Sequence, residues 1–327
     1  MRKTTLTAAV AALSLIALTG CSAGGAGGAG ATGGTSASGA KPVFVFLPKS
    51  LNDPYWVDAR KGMEAEASKL GVSAKFLGPD TNDAAAQVTI FDSILATHPA
   101  GIAISPNDPT TVTSDIAAAR AAGIPVIAWD GPVPNSQVEG YIGTNNVSAG
   151  EQAGEALAKS VGDKGSVAVI IGSLSAVNLN QRLQGVKQAI AKHPGMKLVA
   201  TEVSNESVAT AQSAAETILQ AHPDLVGFVG IGGSDLPGAA GALKAANKCG
   251  TVKTVGFDVV PQGIAGMKAG CVTALISQRP FGMTQQALKI LFDMNAKKSS
   301  LKNGFNIDTG VVVVTPDTLD AFVKTEH

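Results

Sequence analysis

The fold is decided by residues 124–130, Ile-Pro-Val-Ile-Ala-Trp-Asp, an apolar run that follows Gly123 and ends in the carboxylate of Asp130. A run this short and this apolar is typical of a strand that is buried on both faces, as in a parallel sheet. An acid at the carboxyl end of such a strand lies at the sheet edge where open α/β folds bind their ligands. We therefore predict that Asp130 contacts a ligand, with a capping or hinge role as the alternative.

The same arrangement occurs a second time. Residues 252–258, Val-Lys-Thr-Val-Gly-Phe-Asp, again form an apolar run that ends in an acid, Asp258. Residues 94–99 and 218–223 are also similar, because both begin with Ile-Leu, end with His-Pro and precede an apolar strand. Two similar α/β halves, each with an acid at a strand end, predict that a ligand is held between them.

Composition limits the class of protein. A chain of 327 residues is long enough for two domains that each have a core. Hydrophobic residues make up 45% and charged residues 15%, which is typical of a globular protein. The formal net charge is zero, and Lys and Arg form no cluster that would attract nucleic acid. We therefore expect no nucleic-acid partner.

The amino-terminal residues are typical of an exported lipoprotein. Residues 1–20 begin with Arg-Lys after Met1 and contain an apolar segment too short to span a bilayer, which indicates a signal peptide. Residues 18–21, Leu-Thr-Gly-Cys, resemble the lipobox of bacterial lipoproteins, in which the cysteine is lipidated. A plain signal peptide that happens to contain a cysteine is the alternative. Residues 21–40 lack large apolar side chains and predict a flexible tether, so that Cys21 would anchor an extracytoplasmic protein to the cell membrane.

Strands and helices alternate from residue 43 onward, which predicts an α/β protein with parallel sheets and right-handed crossovers. Two Asn-Asp-Pro segments, residues 52–54 and 107–109, predict helix starts in which Asp is the N-cap and Pro the first helical residue. A helix near residues 281–296 and a strand at 311–314 do not fit a simple two-block layout. They predict that the chain crosses between the two domains more than once.

Two cysteines of the folded region, Cys249 and Cys271, each precede a predicted apolar strand by a few residues. If these strands are neighbours, the two sulfurs could meet, and export makes a disulfide chemically allowed. Such a bond would stabilise the fold by about 3 kcal/mol in the chain-entropy model. The alternative is a pair of buried free thiols.

Residues that would support catalysis or metal binding are scarce. Three of the four histidines precede proline and the fourth, His327, is the last residue, so no His-rich metal set or Ser-His-Asp arrangement is indicated. Residues 230–235, Gly-Ile-Gly-Gly-Ser-Asp, follow a predicted strand but lack the third glycine of a dinucleotide-binding motif. From residue 43 onward the sequence contains neither a G-x-S-x-G elbow nor a Walker A motif. We expect a binding protein without metal or cofactor, and not an enzyme such as a dehydrogenase.

The polar and aromatic residues at predicted strand ends and helix starts suit a sugar. Sugars present apolar faces to aromatic rings, and hydroxyls to carboxylates, amides and guanidinium groups. Tyr55 and Trp56 begin the first helix and could cover a ring, although one of them could belong to the core. Asn178 lies one turn before Arg182 on a predicted helix, so both could face the cleft, with a solvated Arg182 as the alternative.

Six segments together resemble one family: residues 49–56 (Lys-Ser-Leu-Asn-Asp-Pro-Tyr-Trp), 104–109 (Ile-Ser-Pro-Asn-Asp-Pro), 141–146 (Tyr-Ile-Gly-Thr-Asn-Asn), 172–174 (Gly-Ser-Leu), 255–258 (Val-Gly-Phe-Asp) and 278–280 (Gln-Arg-Pro). From residue 42 onward the chain resembles the type I periplasmic sugar-binding proteins of the ribose/galactose class, the receptors of ABC importers. The segment at 49–56 and the tail Ile-Asp-Thr-Gly at 307–310 lean toward the glucose-binding subgroup known from thermophiles.

The resemblance implies two Rossmann-like lobes joined by three hinge segments, and closure of the lobes on one monosaccharide. We assign residues 41–143 plus 280–308 to the amino-terminal lobe and residues 144–279 plus 309–327 to the carboxyl-terminal lobe. The implied partners are a sugar and a membrane permease, and we expect a monomer. The predicted ligand-binding residues are Lys49, Asp53, Tyr55, Trp56, Ser105, Asp130, Asn178, Arg182, Asp258 and Gln278.

Several departures from the family pattern bear on the ligand. Gly131 replaces an arginine of the ribose binders, Gly232-Gly233 replace an Asn-Asp pair, and Glu206 stands where an aromatic residue is expected. Lys49, followed later by Trp129-Asp130, is similar to the rhamnose and autoinducer-2 receptors. A polyol or an autoinducer-2-like ligand is therefore an alternative to a glucose-like pyranose or a pentose. A sensing role toward a membrane signalling partner is an alternative to transport, whereas the lipobox and tether argue against a repressor of the same fold.

Overall fold

The computed structural model of the chain describes residues 41–325. The predicted signal peptide, the tether and Cys21 lie outside the described residues, as does His327. No helix within the described range is both long enough and apolar enough to cross a membrane.

Strands and helices alternate along the described chain, as predicted. The strands are β1 (Val43–Leu47), β2 (Ser73–Phe76), β3 (Gly101–Ile104), β4 (Val126–Trp129), β5 (Gly140–Gly143), β6 (Lys164–Ile171), β7 (Gly195–Val203), β8 (Leu225–Gly230), β9 (Lys253–Phe257), β10 (Ala274–Ser277), β11 (Phe305–Asp308) and β12 (Val312–Val314). The helices are α1 (Tyr55–Leu70), α2 (Ala84–Leu95), α3 (Thr113–Ala121), α4 (Asn146–Val161), α5 (Val177–Ala191), α6 (Val208–Ala221), α7 (Asp235–Ala245), α8 (Pro261–Lys268), α9 (Pro280–Asn295) and α10 (Pro316–Thr325).

The strands form two six-stranded sheets with equivalent orders. The first sheet has the order β11-β5-β4-β3-β1-β2 and the second has the order β12-β10-β9-β8-β6-β7. Strand β4 of the first sheet therefore corresponds to β9 of the second, which confirms the repeat seen in residues 124–130 and 252–258. Each sheet with its helices is one lobe, and the α/β prediction is confirmed.

The chain passes between the two sheets three times: after β5, after β10 and between β11 and β12. Helix α9 follows the second crossing and packs on α1 of the first lobe, where the Thr284 hydroxyl donates to the carbonyl of Ala59 at 2.7 Å. Three crossings at one side of the two sheets make a hinge, and they leave the carboxyl ends of β1, β3 and β4 facing those of β6, β8 and β9.

The first sheet is entirely parallel, but the prediction of parallel strands throughout is wrong at β12, which runs antiparallel to β10. Strand β12 enters the second sheet from β11 of the other lobe over residues 309–311, without a crossover helix. The right-handed crossover rule therefore does not set its direction.

The two Asn-Asp-Pro segments behave differently. At the first segment the helix begins at Tyr55, one residue after the predicted start, and the Asp53 carboxylate accepts a hydrogen bond from the Tyr55 N–H at 2.9 Å. At the second segment the predicted start is wrong, because α3 begins only at Thr113. The Asp108 carboxylate instead accepts hydrogen bonds from the N–H and hydroxyl of Thr110, at 2.8 and 2.7 Å, and this local turn competes with the helix.

Cys249 and Cys271 form a disulfide. The two residues precede β9 and β10, which are hydrogen-bonded neighbours in the second sheet. The disulfide lies at the amino ends of these strands, whereas Asp258 lies at the carboxyl end of β9. The bond therefore closes the second lobe at the end opposite to the predicted site.

Candidate functional site

The two strand-end acids are held by the same backbone device. Asp130 follows β4 with φ of 56°, and Asp258 follows β9 with φ of 71°. In each case the acid's N–H donates to an isoleucine carbonyl of the neighbouring strand, Ile142 at 3.1 Å and Ile276 at 3.0 Å. A left-handed backbone is unfavourable for a residue with a β-carbon, and such strain is concentrated at functional sites. The same backbone conformation and hydrogen bond therefore hold an acid at the equivalent strand end of each lobe.

Asp130 is part of a polar cluster that joins the two lobes. Its Oδ2 accepts from the Ser105 hydroxyl at 2.7 Å and lies 3.5 Å from the Lys49 ammonium. The Asn178 amide of α5 donates to the same oxygen at 3.3 Å and accepts from Lys49 at 2.8 Å. All four side chains are buried. One residue of the second lobe, Asn178, is thus hydrogen-bonded to two charged residues of the first lobe.

A buried glutamine fixes the loops that carry Lys49 and Ser105. Gln87 of α2 donates to the carbonyls of Pro48 and Ser105, both at 2.9 Å, and accepts from the N–H of Asn107 at 2.8 Å. The Asn107 amide in turn donates to the Lys49 carbonyl at 2.9 Å. Sequence reasoning missed Gln87, because a single glutamine on a helix carries no signal of these distant contacts.

Arg182 is a buried cation with fixed partners, which excludes the solvated alternative. Its side chain is 2% exposed, and it donates to Asn146 at 2.9 Å, to the Ile231 carbonyl at 3.1 Å and to Gln278 at 2.5 Å. The guanidinium carbon lies 4.3 Å from the ring centre of Phe257. Three of the five N–H groups of the Arg182 guanidinium therefore donate to described residues, and the other two have no acceptor among the residues that the structure describes.

Close packing of α4 and α5 makes this arrangement possible. A β-carbon at Gly150 of α4 would clash with the backbone of Arg182, so only glycine permits the helices to approach this closely. The close approach brings Asn146, at the start of α4, within hydrogen-bonding distance of the guanidinium.

Gln278 connects Arg182 to Asp258. Its carbonyl oxygen accepts from Arg182 and from the Thr144 hydroxyl, the latter at 2.9 Å, and its amide donates to Asp258 Oδ1 at 2.8 Å. No described residue donates a hydrogen bond to the other carboxylate oxygen of Asp258. Burial raises the pKa of Asp258 to about 7, against the lowering effects of Arg182 and Gln278. Asp258 is therefore an acceptor with one oxygen still open to a ligand.

Asp53 and Tyr55 line the same region. Asp53 Oδ2 accepts from the hydroxyl of Ser234, at the start of α7 in the second lobe, at 3.1 Å. Burial is the main cause that raises the pKa of Asp53. Tyr55 lies beside Asp258 and Gln278 in the wall of a cavity of about 740 Å³. Burial and the nearby charges of Asp130 and Asp258 raise the Tyr55 pKa well above its usual value.

Trp56 belongs to the core of the first lobe. Its ring centre lies 5.3 Å from that of Trp129 and 4.8 Å from that of Tyr55. Both aromatic side chains are buried in this core, and of the two Tyr55 also lines the cavity beside Asp258 and Gln278.

The Gly232-Gly233 pair, noted in the sequence only as a departure, is a close-approach site. A β-carbon at Gly233 would lie 3.0 Å from Asp53 Oδ1 and 3.2 Å from Asp258 Oδ2. The Gly232 N–H donates to the carboxylate of Asp235 at 2.7 Å. Glycine at 233 therefore lets a carboxylate of each lobe approach the start of α7. Within residues 41–325, no group of His, Cys, Asp and Glu side chains could hold a metal ion.

Two lobes with a hinge, and a cleft lined by hydrogen-bonding groups from both, define a binding protein of the type that closes on a small molecule. Residues 44–299 match the family model of the periplasmic binding protein domain. The chain is 30% identical over 260 residues to the D-allose-binding periplasmic protein of Escherichia coli K12, covering 77% of this chain and 83% of that protein.

Solved structures agree with this match. A solute-binding protein of an ABC transporter from Burkholderia graminis, in complex with D-arabinose, is 35% identical with a TM-score of 0.82 and covers 86% and 98% of the two chains. The glucose-galactose binding protein GanP from Geobacillus stearothermophilus is 30% identical with a TM-score of 0.80 and covers 85% and 99%. The chain belongs to the periplasmic binding protein family.

Proposed function

We propose that this protein is the extracytoplasmic receptor of a sugar ABC importer, and that it holds one monosaccharide between its lobes. The observation that carries the proposal is the polar cluster of Lys49, Asp130 and Asn178, which joins buried groups of both lobes at facing strand ends. A ligand that contacts both lobes favours the closed state, because its binding energy is realised only there.

The residues have distinct roles in this proposal. The open oxygen of Asp258 accepts from a sugar hydroxyl, and the two remaining N–H groups of Arg182 donate to sugar oxygens. Tyr55 covers one side of the sugar ring, and Gln278 fixes the orientation of both charged groups. Lys49, Asp53, Ser105 and Asp130 bind the sugar from the first-lobe side, and together with Asn178 of the second lobe they set the distance between the lobes in the closed state.

The relatives support a monosaccharide as the ligand. The Escherichia coli relative is a D-allose-binding protein, the Burkholderia graminis structure is a complex with D-arabinose, and GanP is a glucose-galactose binding protein. We propose further that the protein is exported, that a lipid on Cys21 anchors it to the cell membrane, and that it acts as a monomer which delivers the sugar to a membrane permease. The lobe boundaries proposed from the sequence, 41–143 plus 280–308 and 144–279 plus 309–327, are compatible with the strand content of the two sheets.

Calorimetric titration tests the proposal. The full-length protein is titrated with glucose, galactose, xylose, ribose, rhamnose, xylitol and autoinducer-2. We expect one of them to bind with a dissociation constant in the micromolar range or below. Asp258→Ala should weaken this binding by about 30-fold, because a hydrogen bond to a charged acceptor contributes about 2 kcal/mol.

Asp320→Ala is the matched control, since Asp320 is an exposed acid on α10 of the same lobe. It should leave the affinity unchanged. Absence of binding by every sugar and sugar derivative tested, with circular dichroism showing a folded protein, would contradict the sugar-receptor function. Equal weakening by both variants would contradict the role of Asp258.

A further inference from the structure

Glu206 is an acid of the cleft that the proposed set of ligand contacts does not include. It lies between β7 and α6, and both Glu206 and the preceding Asn205 have φ of 55°. Its side chain passes over Gly172 at the end of β6, where a β-carbon would lie 2.6 Å from Glu206 Cγ. Two consecutive left-handed residues and a neighbouring glycine are needed to place this carboxylate, which indicates that its position is built into the fold.

The backbone at Glu206 is fixed, but its carboxylate is not. The Glu206 N–H donates to the Ser204 hydroxyl at 3.2 Å. The same hydroxyl donates to Asp235, which is held by the Gly232 N–H. Among the described residues, none donates a hydrogen bond to the Glu206 carboxylate. A partly buried carboxylate on a fixed loop is thus left with its full capacity to accept hydrogen bonds.

The cations of the cleft have other partners. Lys49 is engaged by Asp130 and Asn178, and Arg182 by Gln278 and Asn146. Five acids share this region with the two cations: Asp53, Asp130, Glu206, Asp235 and Asp258. Acidic charge therefore exceeds basic charge when the carboxylates are ionised, and a neutral ligand would leave that excess unchanged.

We propose that Glu206 contacts the ligand and selects a positively charged group, so that the cleft binds an amino sugar more tightly than the corresponding neutral sugar. This inference rests on the proposed sugar-binding function and narrows its substrate class. The ammonium of an amino sugar supplies the hydrogen-bond donors that Glu206 lacks, and it offsets one acidic charge. A charge-assisted hydrogen bond of this kind is stronger than one between neutral groups.

The electrostatics of the loop agree with this geometry. Burial raises the pKa of Glu206 to about 7; Asp53 and Asp130 raise it further, whereas Lys49 and Arg182 lower it. Burial also raises the pKa of Asp235 to about 8, against the lowering effects of its hydrogen bonds from Ser204 and Gly232, and the nearby charge of Glu206 acts in the same direction as burial. The two cations are thus too few to keep these acids fully ionised at neutral pH, and a cationic ligand would restore the balance.

The test compares pairs of ligands that differ in charge. The full-length protein is titrated at pH 7 with 2-amino-hexoses and 1-amino-1-deoxy-alditols, with their neutral parents, and with the N-acetyl derivatives, which carry nitrogen without charge. We expect at least one amino compound to bind about tenfold more tightly than its parent, and its N-acetyl derivative to lose this advantage. Glu206→Gln should reduce the ratio of the two affinities to about one.

Glu202→Gln is the matched control, because Glu202 is an exposed glutamate on β7, just before the same loop. It should keep the tenfold ratio. The inference is overturned if no amino compound binds more tightly than its parent, or if Glu206→Gln weakens both members of a pair equally. Binding of neutral sugars alone would overturn this inference and leave the sugar-receptor function standing, whereas no binding by any compound to folded protein would overturn both.

Discussion

The two lobes present the same strand-end acid in different surroundings. Asp130 and Asp258 share a left-handed backbone and the same hydrogen bond to an isoleucine of the neighbouring strand. Asp130 is paired with Lys49 and accepts hydrogen bonds from Ser105 and Asn178. Asp258 accepts one hydrogen bond from a described side chain, that of Gln278.

This difference shows how a duplicated backbone can serve two purposes. Because Asp130 compensates a buried cation and contacts the other lobe, it contributes to the closed structure itself. Because Asp258 keeps one oxygen unpartnered and has a raised pKa, it is a costly buried acid that a ligand could satisfy. We infer that Asp130 and its partners in the first lobe help to hold the cleft closed. The second lobe supplies most of the hydrogen-bonding groups that lack a partner and could bind a ligand, such as the second carboxylate oxygen of Asp258.

The largest expected effect is on stability. Asp130→Ala leaves the ammonium of Lys49, which is 2% exposed, without a carboxylate partner, and should lower the free energy of unfolding by about 3–5 kcal/mol. Asp258→Ala removes the acceptor of one amide hydrogen bond, but it also removes a buried acid whose raised pKa lowers stability at pH 7, so its cost should be much smaller than that of Asp130→Ala. Urea denaturation at pH 7 measures both values.

Adding Lys49→Met to Asp130→Ala should recover most of the loss, because the unpaired cation is then removed. Equal costs for the two alanine variants would show that the strand-end acids are equivalent after all. Failure of Lys49→Met to recover stability would show that the cost arises from packing instead of from the charge.

The second largest expected effect is on the pH dependence of the free energy of unfolding. The pKa of Asp258 is about 7 in the folded protein, above the value of about 3.9 expected in the unfolded chain. Between these two pKa values Asp258 is mostly protonated in the folded state and mostly ionised in the unfolded state. The free energy of unfolding therefore falls as pH rises from 4 to about 7. Asp258→Asn removes this dependence, and the slope of the unfolding free energy between pH 5 and 7 should become less negative by up to about 1.4 kcal/mol per pH unit.

Asp224→Asn is the control for this measurement. Asp224 is fully exposed, and its hydrogen bond from Ser166 lowers its pKa, so that it is ionised in both states over this range. The control should leave the slope unchanged. An unaltered slope in Asp258→Asn would mean that the folded and unfolded chains ionise this acid alike.

The smallest effect concerns closure of the lobes without ligand. Asn178→Ala removes the hydrogen bonds that link α5 to Lys49 and Asp130, and should shift the equilibrium toward open forms by about 0.5–1.5 kcal/mol. Small-angle X-ray scattering should show a larger radius of gyration. Asn180→Ala, on the same helix, loses hydrogen bonds only to carbonyls of its own lobe and should not change the radius. Equal radii for both variants would show that Asn178 does not hold the lobes together.

Much of the fold could be predicted because it depends on local patterns. Short apolar runs bounded by glycine and polar residues predicted the alternation of strands and helices from residue 43 onward and the core of β4 and β9. Residues 305–308 and 316–325 were not predicted as β11 and α10, because neither segment carries a long apolar run. The antiparallel direction of β12 could not be predicted either, since it depends on which sheet the chain enters.

Some residues of the candidate site could likewise be predicted from the sequence, and others could not. The strand-end position of Asp130 and Asp258 follows from their place after apolar runs. The one-turn spacing on a predicted helix marked Asn178 and Arg182, and the family resemblance marked Gln278. Nothing in the local pattern indicates that Trp56 packs against Trp129. Nor does it indicate that Gln87 braces two loops, or that Glu206 lacks a donor.

The sequence by itself determined that the chain has two similar α/β halves, each ending a buried strand in an acid. Apolar periodicity and strand-end chemistry are properties of neighbouring residues, so they can be read along the chain. Only the tertiary structure decided that Asp130 is paired with a cation while Asp258 and Glu206 remain open. Pairing and burial depend on residues far apart in the chain, and they set the pKa values and the free hydrogen-bonding capacity on which ligand selection depends.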